Sequence, residues 1–188
     1  MKNKILITFF IVFAIAKPAT ALTPYLSAGV TSGFQNNGKH ASTSYSSLWT
    51  ITGGIQYALT KNISMRNGIE YSTSDYTFKN NAGDIDYEYD TRVQLYMANA
   101  VAQFNPNGFR SGVYAGISAG ITNYKTELKR PYSEPSTERS AFTYGAMAGV
   151  SLNLIGGLYA DLGVRYITNT DAGNDGNLIT TANLHMGF

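Results

Sequence analysis

The feature that most constrains this chain is a two-residue alternation of apolar and polar side chains, in segments of about ten residues, with no long apolar run after residue 21. A helix that crosses a bilayer needs about 20 apolar residues in succession, and nothing after residue 21 supplies them. Strands alternate because successive side chains point to opposite faces. Eight strands can be read. In the first half, Leu26, Ala28, Val30 and Phe34 oppose Ser27, Gly29, Thr31 and Gly33. Trp49, Ile51, Ile55, Tyr57 and Leu59 oppose Thr50, Thr52, Gly54 and Gln56. Ile63, Met65, Ile69 and Tyr71 oppose Arg66, Gly68, Glu70 and Ser72. Val93, Leu95, Met97 and Val101 oppose Arg92, Gln94 and several alanines.

The second half repeats the pattern. Val113 to Ile121 alternates with glycine, serine and Tyr114. Phe142 to Leu154 alternates with Thr143, Gly145, Gly149, Ser151 and Asn153. Leu158, Ala160, Leu162, Val164 and Tyr166 oppose Tyr159, Asp161, Gly163 and Arg165. Leu178, Ala182, Leu184, Met186 and Phe188 oppose Thr181, Asn183, His185 and Gly187.

The connections alternate as well. Short ones fall at Thr60-Lys61-Asn62, Asn105-Pro106-Asn107-Gly108 and Ile155-Gly156-Gly157, all of turn-forming composition. Longer polar ones fall at 35–46, 79–87, 125–140 and 169–177. This rhythm predicts an all-β fold: an eight-stranded antiparallel up-and-down transmembrane β-barrel, a meander with short periplasmic turns and long extracellular loops. A soluble barrel buries its large apolar side chains. A membrane barrel turns them outward, because hydrocarbon is its outer solvent. The apolar face carries aromatics near both ends, with Trp49, Tyr71, Phe142, Tyr144 and Tyr166 toward the loops and Tyr57, Phe109 and Phe188 toward the turns. These predict interfacial girdles.

The N-terminus fits export. Lys2 and Lys4 precede an apolar run, Ile5 to Ala16, and Ala19-Thr20-Ala21 offers the small residues of a cleavage site. The expected organisation is a signal peptide at 1–21 and a barrel domain at 22–188. Loss of Lys2, Lys4 and Lys17 turns the formal balance of 14 basic and 12 acidic residues from +2 to −1. Charge therefore gives no argument for nucleic acid. The absence of cysteine excludes disulfides and thiolate metal sites.

Arg66, Glu70, Arg92, Arg110, Asp161, Arg165 and His185 all fall on the polar, lumen-side series. Side chains fill an eight-stranded barrel, and a charge buried without a partner is costly, so these residues are expected to pair. A hairpin turning near Asn81 would set Glu70 opposite Arg92. One turning near Gly173 would set Asp161 opposite His185. A paired interior is a structural plug; an unpaired one would be a narrow ion path. Asp84, Asp86, Glu88 and Asp90 alternate with Ile85, Tyr87 and Tyr89 and would line one face of a hairpin above the membrane, as a solvated ladder or a cation-attracting mouth. Lys129 and Arg130 in the third long loop could meet lipopolysaccharide phosphates or a host surface.

The chain resembles the small outer-membrane barrels of the opacity-protein and OmpA-membrane-domain type. The likeness rests on the leader running into Tyr25-Leu-Ser-Ala-Gly-Val30, on Gly157-Leu-Tyr-Ala-Asp-Leu-Gly-Val-Arg-Tyr166, on the final strand, and on the short-turn, long-loop rhythm across 22–188. Valine stands at 164 where that family often has tyrosine. The resemblance implies that Leu184, Met186 and Phe188 form the terminal signal read by the barrel-assembly machinery, after escort by periplasmic chaperones. It implies a monomer in outer-membrane lipid and lipopolysaccharide, without cofactor or metal.

The function expected is structural or surface-interactive and adhesin-like, through four extracellular loops and an extracellular or host ligand. A narrow porin is the alternative. A lipid-modifying enzyme is a second one, but catalysis needs a nucleophile with a base in reach. The chain has two histidines, His40 near Ser42, Ser44 and Ser46, and His185, neither within a serine or metal-ligand motif.

Overall fold

The structure is a computed structural model that describes residues 22–33, 46–82, 85–105, 111–130, 136–170 and 176–188. The expected leader at 1–21, with Arg110, Phe109, His40 and Asp84, lies outside the described residues.

Eight strands follow one another in chain order. They are β1 (Thr23–Gly33), β2 (Ser46–Ala58), β3 (Ile63–Ala82), β4 (Ile85–Phe104), β5 (Gly112–Arg130), β6 (Thr137–Ile155), β7 (Leu158–Asn169) and β8 (Asn177–Gly187). Each pairs antiparallel with the next, and β8 pairs back onto β1 from Tyr25↔Gly187 to Gly33↔Ile179, closing the barrel. Closure leaves no edge within the ring, the requirement for a sheet in hydrocarbon. The β6–β7 connection is a two-residue turn in which Gly156 and Gly157 have φ of 55° and 87°. Positive φ at both central residues is what the favoured hairpin turn needs, and glycine adopts it without strain.

The strands differ in length. β1, β2, β7 and β8 have 11, 13, 12 and 11 residues, whereas β3 to β6 have 20, 20, 19 and 19. About 9–11 residues suffice to cross the bilayer. Four neighbouring strands therefore continue well past it at the long-connection end. Much of what the sequence suggested as loop at 79–87 and 125–140 is strand: β3 and β4 pair to Ala82↔Ile85, and β5 and β6 to Thr126↔Thr137.

The outward face is as expected for seven strands. Ile69, Ile117, Trp49, Leu178 and Phe188 are 60–71% exposed. The fourth strand is a correction. Val93, Leu95, Met97 and Val101 were expected to face lipid; all four are buried in the lumen, and Tyr96 and Phe104 of the opposite series are exposed. The cause is register. β3 and β4 set Glu70 opposite Met97 and Asp75 opposite Arg92, not Glu70 opposite Arg92. The turn sits later than Asn81, and an odd offset between partners exchanges the two faces of a strand. Alanines on the other series, Ala98, Ala100 and Ala102, suit lipid equally well.

With Trp49→Phe as background, Ala98→Trp is expected to give a fluorescence strongly quenched by brominated acyl chains. An unquenched tryptophan at 98 would put the even-numbered face of β4 in the lumen.

Candidate functional site

The lumen-facing series of β3, β4, β7 and β8 bring a set of charged groups together in the lower half of the barrel. Arg165 on β7 reaches across to Glu70 on β3, with Nη1 donating to Oε1 at 2.6 Å and Nη2 to Oε2 at 2.7 Å. Asn99 Nδ2 donates to Glu70 Oε2 at 2.8 Å, Ser72 donates to Oε1 at 3.1 Å, and Arg165 Nη2 also reaches Asn99 Oδ1. The two charged side chains are only 5% and 6% exposed. A bidentate guanidinium–carboxylate pair with every carboxylate oxygen bonded is the arrangement that best offsets desolvation.

A second group lies below it. Arg66 Nη1 donates to Asp161 Oδ2 at 2.5 Å, and His185 Nδ1 stands 3.1 Å from the same oxygen. Arg66 Nη1 is also 3.0 Å from His185 Nδ1. The His185 ring, 2% exposed, stacks on Tyr159 at 4.6 Å between centroids with planes 1° apart, and meets Tyr25 edge-on at 6.3 Å. The guanidinium of Arg66 lies 5.5 Å from the centre of the Tyr114 ring, within cation–π range. The tyrosines fit because glycines face them: a Cβ at Gly68 would collide with the Tyr25 hydroxyl, and one at Gly163 with that of Tyr114.

The structure thus brings together Arg66, Glu70, Asp161, Arg165 and His185. Asp161 pairs in register with Asn183 and His185 with Tyr159, so the expected partners sit two residues apart along the ladder. That offset is even and keeps both in the lumen. Arg92 is the correction. It lies on the outer face, 58% exposed, with Nε donating to Asp75 Oδ1 at 2.7 Å, because β4 is turned over. Asn99, Ser72, Tyr25 and Tyr114 were missed; a correct β4 face would have placed Asn99 inside.

Above the charges, Val93, Leu95 and Met97 form a buried apolar cluster, with Leu48, Tyr124 and Ile167 packed on it. Hydroxyl ladders run beside it: Ser72 to Thr50 at 2.8 Å, and Thr122 to Thr143 at 2.6 Å.

On the outside of the tall strands, Asp75, Asp90, Arg92, Lys125, Glu127 and Lys129 line an open groove. Thr77 donates to Asp90 and Lys129 Nζ donates to Glu127 Oε2 at 3.0 Å. The hydrogen bond and charge of Lys129 hold the Glu127 carboxyl below its ordinary value, while Lys129 is raised in return. The pair is intact above the carboxylate range and is lost as pH falls through the lowered Glu127 value. Among the described residues, no group of three or more His, Asp or Glu could hold a metal ion.

Of the expected girdle, Trp49, Phe142, Tyr144 and Tyr166 are 43–69% exposed, and Tyr71 packs on Tyr96 at 5.1 Å. Tyr57 is a correction: it is 8% exposed, and its hydroxyl accepts from Asn67 Nδ2 at 3.2 Å, so the ring is engaged with its neighbour strand rather than presented to the interface.

The family described as "Outer membrane protein beta-barrel domain" matches residues 5–188, and the chain belongs to it. It is a bacterial outer-membrane barrel. Neisserial surface protein A is similar in structure, with a TM-score of 0.55 at 16% identity, covering 89% of this chain and 99% of that one. So is Ail, the attachment invasion locus protein of Yersinia pestis, in complex with the heparin analogue sucrose octasulfate, with a TM-score of 0.55 at 14% identity over 88% and 97%. Among curated proteins none matches this sequence significantly.

Glu70→Ala leaves the Arg165 guanidinium buried without its carboxylate. It is expected to cost about 3–5 kcal/mol of stability, read as a lowered urea midpoint for the barrel in lipid. Adding Arg165→Met should recover most of that loss. A Glu70→Ala barrel as stable as its parent would mean that the pair contributes nothing.

Proposed function

We propose that this barrel is a surface-interaction protein of the outer membrane, adhesin-like, with an interior closed by ion pairs and a working surface on the extracellular side. The carrying observation is the length of β3 to β6. Strands of 19–20 residues are about twice what the bilayer requires, and ordered sheet extended into the medium serves contact with something outside. Tyr89, Tyr124 and Leu128 on the described inner side of this wall are partly buried, while Asp75, Arg92 and Lys125 on its outer side are exposed. The wall therefore offers two chemically different faces to a ligand.

The narrow-porin reading is the weaker one. A conducting path would have to pass both the Arg165–Glu70 and the Arg66–Asp161 pairs and the apolar side chains of Val93, Leu95 and Met97. A lipid-modifying activity finds no support either: His185, the described histidine, faces Asp161 and Arg66. The outward row of Leu184, Met186 and Phe188, 51%, 42% and 65% exposed, is accessible to the barrel-assembly machinery as the terminal signal requires. The leader at 1–21, escort by periplasmic chaperones and a monomeric state complete the reading. Arg92 and its register partner Lys125 stand a few residues beyond Tyr96 and its partner Ile121, with Lys129 further out; exchanging their carboxylate partners Asp75 and Glu127 for lipopolysaccharide phosphates is the contact this reading assigns them.

Two measurements test this. The refolded protein in a planar bilayer should be electrically silent; reproducible ion-selective steps would replace this reading with the porin. Cells displaying the protein should bind immobilised extracellular-matrix proteins or sulfated glycans. A variant with 76–88 and 126–138 shortened to membrane-level turns should lose that binding while keeping heat-modifiable migration. Equal binding by the shortened barrel would dismiss the wall as the working surface.

A further inference from the structure

Polar side chains on the outer wall of a membrane barrel belong at its ends, where water and headgroups reach them. Asn67 breaks that rule. It lies on the outward series of β3, between the lumen residues Arg66 and Gly68 and midway between Ile63 and Tyr71. A strand crosses the bilayer in about 9–11 residues, so Asn67 stands near the middle of the hydrocarbon. Its outward neighbours are apolar: Ile55 and Ala100 across the two ladders, Met65 and Ile69 along the strand. Among the described residues its side chain makes one hydrogen bond, from Nδ2 to the Tyr57 hydroxyl at 3.2 Å. Oδ1 and the second N–H of the amide are left to be met, and acyl chains cannot meet them.

The surface beside Asn67 has relief. A Cβ on Gly53 would touch nothing within 4 Å, and the ladder partner of Gly53, Ile69, is 71% exposed. A hole on β2 and a knob on β3 therefore stand side by side. Lipid tails give apolar surfaces no drive to associate, so proteins adhere within a bilayer through close packing of small against large side chains and through hydrogen bonds. Both features here are self-complementary. An amide carries donors and an acceptor, so two copies of Asn67 satisfy one another with a reciprocal pair of N–H···O bonds. A two-fold axis along the membrane normal, at the seam of β2 and β3, sets β3 of one copy against β2 of the other. Ile69 of each copy then faces Gly53 of the other, as an isologous contact requires.

We propose that the outward face of β2 and β3 is a lateral contact between two copies of this chain, centred on Asn67 and seated by Ile69 over Gly53. Each copy is a closed barrel by itself, so the monomer is the unit that folds and the pair forms from folded monomers. The proposal rests neither on what the extracellular wall binds nor on whether the lumen conducts.

The chain has no cysteine, so one introduced thiol reports on contact. Lys61 is exposed in the turn that joins β2 to β3, at the foot of the proposed face. Ile155, 76% exposed, lies at the β6–β7 turn across the ring. Purified Lys61→Cys and Ile155→Cys barrels are refolded into liposomes and treated with a short bismaleimide. Lys61→Cys is expected to give a band of twice the mass whose yield holds as lipid is added, while the yield from Ile155→Cys falls with dilution. Asn67→Leu or Gly53→Leu, added to Lys61→Cys, should bring its yield down to the Ile155→Cys level while heat-modifiable migration is kept. Equal yields from the two turns would mean chance collision and overturn the proposal. A Lys61→Cys yield unchanged by both substitutions would place the contact elsewhere and overturn it too. Cross-links that form in the native outer membrane to proteins of other mass, and never in liposomes of the pure chain, would assign the face to a different partner and overturn it equally.

Discussion

A chain whose outer solvent is hydrocarbon has nowhere to leave an unpaired backbone amide, and the rest of this structure depends on that constraint. The sheet must close, so β8 returns to β1. Closure with only eight strands leaves a bore that side chains fill. Polar residues, displaced from the outside by lipid, have to share that bore. Charges placed there must find opposite charges, and the Glu70–Arg165 and Arg66–Asp161 pairs follow. Even the glycines of the polar series have a place in this sequence of causes, since Gly68 and Gly163 leave room for the hydroxyls of Tyr25 and Tyr114.

How far the sequence discloses this depends on parity. On β3, Arg66 and Glu70 alternate with Met65 and Ile69, and on β7 Asp161 and Arg165 alternate with Leu162 and Val164; one face is plainly polar and the assignment is forced. β4 offers no such contrast. Its two series are Val93, Leu95, Met97 on one side and Gln94, Tyr96, Ala98, Ala100 on the other, and both are apolar enough for lipid. The decision then passes to the hairpin, where several polar residues after Phe78 can each make a turn. A register displaced by an odd number of residues exchanges the faces, and Arg92 leaves the lumen with its strand. At β7–β8 the same kind of uncertainty is harmless, because the displacement is even and His185 still meets Asp161.

Pairings across the lumen are a different matter. That Arg165 meets Glu70, 95 residues away, is set by the stagger of eight strands around the ring. No local pattern contains it. The sequence declares that charges on the inner face need partners, and only the closed barrel states which.

The long strands are neighbours, β3 through β6, and the short ones complete the ring. A cylinder with a level rim looks the same from every direction in the plane of the membrane. This one is cut on a slant, which gives it a front and a back. Molecules in the crowded outer leaflet meet a tall paired sheet on the side of β3 to β6 and shorter strands on the side of β1, β2, β7 and β8. The protein therefore has a heading within its membrane, set by unequal strand lengths.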